Sequence, residues 1–113
     1  MAAAFDPVRR FRRFKADFRV KMSYTVAGEQ RSEVVRSYEF SQGGVSVYSP
    51  VQPHEEQLEL EFTLPGQNEA LKLRANIRNR RGFRYGMEFT GVTPQQAEAL
   101  TAYAQRLEQK TGR

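Results

Sequence analysis

The sequence predicts a mainly β chain: about six antiparallel strands wrapped into a small barrel, followed by one C-terminal α-helix. Three observations carry this. Apolar and polar residues alternate through most of the chain, the period of a half-buried strand. Turn-forming residues interrupt that alternation at short intervals. After Gly91 the apolar spacing changes to that of a helix. A barrel also hides strand edges that a small open sheet would expose.

The elements follow in order. Phe18, Val20, Met22, Tyr24 and Val26 alternate with Arg19, Lys21, Ser23 and Thr25, a first strand that ends in the turn "AGEQ". "SEVVRSYEFS" is a second strand, with Tyr38 and Phe40 expected on its core face. "GGVSVYSP" reads as a kink or bulge at the glycines and a short strand stopped by Pro50. Leu58, Leu60, Phe62 and Leu64 mark a fourth strand, and "PGQNE" a hairpin loop. Leu71, Leu73, Ala75 and Ile77 mark a fifth. Phe83, Tyr85, Met87 and Phe89 mark a sixth. Thr93 is then a candidate N-cap, Pro94 the first helical residue, and Gln96 the capping-box partner. Ala97, Leu100, Ala104 and Leu107 form the apolar stripe of the helix.

The 113 residues suit one domain. Residues 1–8 are expected to be a flexible start, 9–108 the domain, and 109–113 a flexible tail. With no Cys, disulfides, zinc–thiolate sites and Cys nucleophiles are excluded. No run approaches the roughly 18 apolar residues of a membrane helix, and the start lacks the pattern of a signal peptide. A cytoplasmic domain that does not insert in a membrane is expected. His54, the one histidine, sits in a loop beside glutamates, where it reads as solvated. Ser41 has no His beside it to serve as a base. No Walker loop or GxGxxG occurs. No catalytic residue, metal site or cofactor is therefore expected, and the chain reads as a non-enzyme.

Charge is segregated within a net +5. The first 21 residues are rich in Arg and Lys, Pro50 to Glu69 carries glutamates and no base, and Leu71 to Arg84 carries bases and no acid. An anionic partner fits this pattern. Arg9, Arg10, Arg12 and Arg13 stand together in "RRFRRF", with Arg9 and Arg13 four apart. A guanidinium grips phosphate bidentately, reads a guanine edge or stacks on a flat ring. A frayed basic terminus has the same composition, so the cluster alone leaves both readings open. In "YEFSQGG", Glu39 and Ser41 share one strand face, and Gly43 and Gly44 follow with backbone that a ligand can approach. A strand ending in a glycine bulge looks the same.

Taken in order, "RRFRR" before a first strand, "EFSQGG" at a second strand's end and "YGMEF" before the helix resemble the PilZ domain. Its pattern is RxxxR, then [D/N]xSxxG, then a GxxF-type strand end. Arg9 and Arg13 match the first, Ser41 and Gly44 the second, Gly86 and Phe89 the third. The resemblance spans roughly Val8 to Leu107. It implies a six-stranded antiparallel barrel with a C-terminal helix, acting as a bacterial receptor for cyclic di-GMP. It implies that Arg9 and Arg13 clamp the ligand, with Arg10 beside them. Ser41 would supply a polar contact, and Gly43 and Gly44 the close backbone. It also implies that ligation folds Val8 to Phe14 onto Glu39, Ser41 and Gly44, and that the signal passes to a protein partner.

Glu39 departs from the family pattern of Asp or Asn. It keeps a carboxylate that can accept from guanine, but moves it outward by one methylene. The alternative is therefore a degenerate PilZ adaptor that binds protein and not nucleotide. A third reading, nucleic-acid binding through Arg9 to Lys21 and Lys72 to Arg84, is disfavoured because the aromatics fall on core faces.

Overall fold

The computed structural model describes residues 11–53 and 57–111. Its elements are β1 (Phe14–Lys15), β2 (Arg19–Val26), β3 (Glu29–Ser41), β4 (Gly44–Tyr48), β5 (Gln57–Phe62), β6 (Leu71–Arg81), β7 (Arg84–Thr90) and α1 (Pro94–Thr111). All strand pairs are antiparallel. The order is β1-β3-β2-β5-β6-β7-β4, and β4 pairs back onto β3. That last pairing closes six strands into a barrel. The two-residue β1 lies outside the ring and extends the β3 edge beyond β2.

β2 and β3 form a hairpin whose two central residues both take positive φ, 51° at Ala27 and 81° at Gly28. This is the turn that matches strand twist, and Ala27 accepts left-handed backbone to make it. The long β3 serves two partners. Glu29 to Arg36 pair with β2, and Arg36 to Ser41 pair with β4. A bulge between Ser37 and Glu39 marks the bend between these halves.

The alternation predicts the core well. Val20, Met22, Leu58, Leu60, Phe62, Leu64, Leu73, Ala75, Tyr85 and Met87 are buried. Four expected positions fall elsewhere. Tyr38 leaves the core because the bulge shifts the pleat by one residue there. Phe83 sits in the β6–β7 turn and is 61% exposed. Val26 ends β2 and is exposed, and so is Ala97 on the helix. The bulge expected at Gly43 and Gly44 is instead a tight turn through Gln42 and Gly43, with Ser41 opposite Gly44.

The helix closes one end of the barrel. Its N-terminus is a reciprocal capping box: Gln96 N–H donates to Thr93 Oγ1 (3.1 Å), and Thr93 N–H to Gln96 Oε1 (3.0 Å). Leu100, Tyr103 and Ala104 are buried. Tyr103 meets Phe40 at 4.9 Å and Phe18 at 6.0 Å, both edge to face. Burying such a ring contributes roughly 1.5–3 kcal/mol, so this aromatic cluster holds the helix in place. The helix runs to Thr111; residues 109–111, expected in the tail, are helical.

Part of the segregated charge faces its opposite across the sheet. Glu61 stands between Lys21 on β2 and Lys72 on β6, and Glu59 between Ser23 and Arg74. The acidic strand therefore lies between basic ones, and its glutamates interrupt the bases of β2 and β6.

Candidate functional site

The site is built where β1 meets the second half of β3. Phe14 pairs with Phe40 and Lys15 with Glu39. Phe14 is buried, so its neighbours Arg13 and Lys15 face outward. The ladder brings Arg13 next to Ser41 and diagonally across from Glu39. Arg13 Nη1 lies 3.5 Å from Glu39 Oε1, with both side chains about one-third exposed.

Ser37 holds this arrangement. Its hydroxyl donates to the Ala16 carbonyl (2.6 Å) and accepts from Phe18 N–H (3.0 Å). The residue is 2% exposed. Ser37 N–H in turn donates to the Phe18 carbonyl at 2.9 Å. Nearby, Arg36 Nε donates to Asp17 at 2.8 Å. The link between β1 and β2 is thus fastened to β3 along its length, and Arg13 is delivered at its end. Ser37 has no conspicuous sequence signal, because a serine in an alternating strand reads as a surface residue.

Arg13, Glu39, Ser41 and Gly44 line one depression, together with Phe40, Val45 and Ser46. Its volume is about 10 Å³, room for one water at most. A larger ligand would lie on the surface at this place and not in a pocket. Arg12 turns away: it meets Glu108 of the helix at 3.2 Å and lies over the Phe14 ring. Arg9 and Arg10, the other expected site arginines, lie outside the described residues, as does His54. The segment Val8 to Phe14 is expected to fold as a unit on ligation, yet its end is already a ladder partner of β3.

The turn residues have structural work of their own. Ser41 is buried and its hydroxyl accepts from Gly43 N–H at 3.2 Å, so that N–H already has a partner within the turn. The Gly43 carbonyl accepts from Phe89 N–H of β7 at 2.9 Å. Gln42 Nε2 donates to Thr101 of the helix at 2.7 Å. A Cβ on Gly44 would stand 2.2 Å from the Met87 carbonyl oxygen. The missing side chain is therefore needed by the neighbouring strand, whatever a ligand requires.

The buried carboxylate Glu88 is held by Arg78 at 2.5 Å and belongs to the β6–β7 ladder. Burial pushes the Tyr85 and Tyr103 hydroxyls above the usual tyrosine range, against a smaller opposing pull from Arg80 and Arg106. Both are core groups away from the depression. Among the described residues no group of three His, Cys, Asp or Glu is placed to hold a metal ion, and no helix is long and apolar enough to cross a membrane.

Comparison with known proteins bears on this geometry. The family model described as "PilZ domain" matches residues 7–106. No curated protein matches the chain. Solved structures do. The PilZ domain of CeSA from a cellulose-synthesizing bacterium is 22% identical, with TM-score 0.64, covering 86% of this chain and 98% of that one. The PilZ domain of YcgR from Escherichia coli, solved with c-di-GMP, is 20% identical, with TM-score 0.65, covering 90% and 92%. The Bacillus subtilis inhibitor of motility MotI/DgrA is 19% identical, with TM-score 0.73; the match covers 93% of this chain and 53% of that protein.

Proposed function

The chain belongs to the PilZ domain family, and we propose that it is a cytoplasmic receptor domain for cyclic di-GMP with no enzymatic activity. The observation that carries this is the meeting of Arg13, Glu39, Ser41 and Gly44 around one surface depression. Arg13 lies 26 or more positions from the other three along the chain, and the four belong to two separate sequence motifs. The solved PilZ domain of YcgR with c-di-GMP supports the choice of ligand.

In this reading Arg13 contacts the Hoogsteen edge of a guanine or a phosphate oxygen, as a planar five-donor cation can. Glu39 accepts from the N1–H and N2–H₂ edge. Arg9 and Arg10 reach the remaining phosphate charge, each charge-assisted bond contributing roughly 1.5–3 kcal/mol where water is excluded. Gly43 and Gly44 keep the turn low beside the ligand, and Ser41 shapes it. Arg13 leaves Glu39 or shares it as the ligand arrives. The change in charge and shape at this edge of β3 is then read by a protein partner. Calorimetry with cyclic di-GMP on the natural chain and Arg13→Ala tests this. Micromolar or tighter binding that weakens at least tenfold in the variant is expected; equal affinity in both would remove Arg13 from the site.

A second reading has an observation of its own. Glu39 already has a cationic partner in Arg13 at 3.5 Å, and its extra methylene extends the carboxylate toward that arginine. In a degenerate adaptor this pair closes the nucleotide site and the domain binds protein alone. If the natural chain showed no binding and Glu39→Asp restored it, the adaptor reading would replace the first.

A further inference from the structure

Along the outer face of β4 the residues run Gly44, Ser46, Tyr48. The first two line the depression beside Arg13 and Glu39. One pleat further on, Tyr48 is 45% exposed. Its ring lies 4.6 Å from that of Tyr38, which the β3 bulge has turned out of the core. Arg84 stands opposite Tyr48 across the β4–β7 ladder, with its guanidinium 5.7 Å from the centroid of each ring. Three flat, π-rich groups from three strands thus form one shelf on the barrel surface.

Two features point to a planar guest. An exposed tyrosine packed on a half-buried one, beside an arginine, offers stacking and cation–π attraction to any base, since every base has a π-face. The shelf is also continuous with the proposed ligand site. At about 3.3 Å per residue, Tyr48 lies roughly 7 Å from Ser46 and 13 Å from Gly44. That span suits two bases of one small dinucleotide, with one over Arg13 and Glu39 and the other over Tyr48. We infer that Tyr38, Tyr48 and Arg84 form a purine-stacking subsite for the second base of a cyclic dinucleotide; this rests on the reading given under Proposed function. The two ends of the ligand are then held differently. Hydrogen bonds read the edge of the first base, and stacking holds the second without reading its edge.

Cyclic di-GMP is titrated against the natural chain, Tyr48→Ala, Tyr48→Phe, Arg84→Ala and Arg13→Ala, with thermal melts to confirm folding. Loss of base–aromatic stacking is expected to weaken Tyr48→Ala between about fivefold and a hundredfold, and Tyr48→Phe is expected to restore affinity. In parallel, GMP is titrated while the ring resonances of Tyr38 and Tyr48 are followed by NMR, and these are expected to shift. If Arg13→Ala weakens binding while folded Tyr48→Ala and Arg84→Ala bind as the natural chain does, the shelf is overturned and the receptor reading stands. If the natural chain binds no cyclic di-GMP, the receptor reading falls, and GMP decides the shelf. Ring shifts would keep it as a purine site; their absence would remove it.

Discussion

Gly44→Ala separates a structural glycine from one kept for a ligand. Its Cβ would meet the Met87 carbonyl oxygen at 2.2 Å and the carbonyl carbon at 3.2 Å. A carbon–oxygen contact settles near 3.3–3.6 Å, so β4 and β7 must part by about 1 Å at this point. The same movement stretches the bond from Phe89 N–H to the Gly43 carbonyl, now 2.9 Å, past the usual limit. Overpacking costs about 1–3 kcal/mol and the weakened bond about 1. The lower chain entropy of alanine in the unfolded state returns about 0.4–1 kcal/mol. The net loss is roughly 2–3 kcal/mol, or ~8–12 °C in melting temperature at about 4 °C per kcal/mol for a domain of this size. Gly86→Ala is the control. The three atoms nearest its Cβ would all belong to the Asn79 side-chain amide, at 2.7–3.0 Å. That amide can rotate, and a loss below about 1 kcal/mol is expected. Urea unfolding followed by circular dichroism measures both. A Gly44→Ala midpoint equal to the natural one, or a larger fall in Gly86→Ala, would refute the steric account.

Other consequences are as direct. Ser37→Ala leaves the Ala16 carbonyl and Phe18 N–H without their buried partner and should cost about 2–4 kcal/mol. It should also loosen β1, so amide exchange at residues 14–16 should speed up more than at the centre of β6; uniform exchange would contradict the fastening role. Ala27→Gly relieves a left-handed alanine at φ 51° and should stabilise the hairpin by about 1 kcal/mol, read as a higher urea midpoint; a lower midpoint would count against it. Burial raises the pKa of Tyr85 and Tyr103 in the fold. The stability tied to their neutral hydroxyls is complete below the unfolded value near 10 and is lost as pH rises through the raised values. Unfolding midpoints should therefore fall above about pH 10, with Tyr85 and Tyr103 ionising late in an ultraviolet titration. Ionisation of Tyr85 and Tyr103 at the ordinary tyrosine value near 10 would contradict this.

Much of the barrel was legible because strand residues alternate faces wherever one side is buried. Val20 and Met22, Leu58 to Leu64, and Leu71 to Ile77 obey that rule and lie inside. Tyr38 and Phe83 break it for different reasons. A bulge displaces the first with no mark in local composition, and a turn that Gly82 opens at φ 62° claims the second. The site was half legible. The residues of the two motifs can be picked out one by one, but Ser37, Ser46, Tyr48 and Arg84 take their meaning from strands beside them.

Residue order alone determined the six strands of the barrel, the helix with its Thr93 cap, and the arginine and Glu39–Gly44 motifs, since each depends on neighbours within a few positions. Only the tertiary structure decided that Arg13 meets Glu39, that Gly44 makes room for the Met87 carbonyl, and that Glu61 of β5 lies between Lys21 of β2 and Lys72 of β6. Those contacts depend on register, bulges and barrel closure, which join residues far apart in the chain and are set by packing the whole core at once.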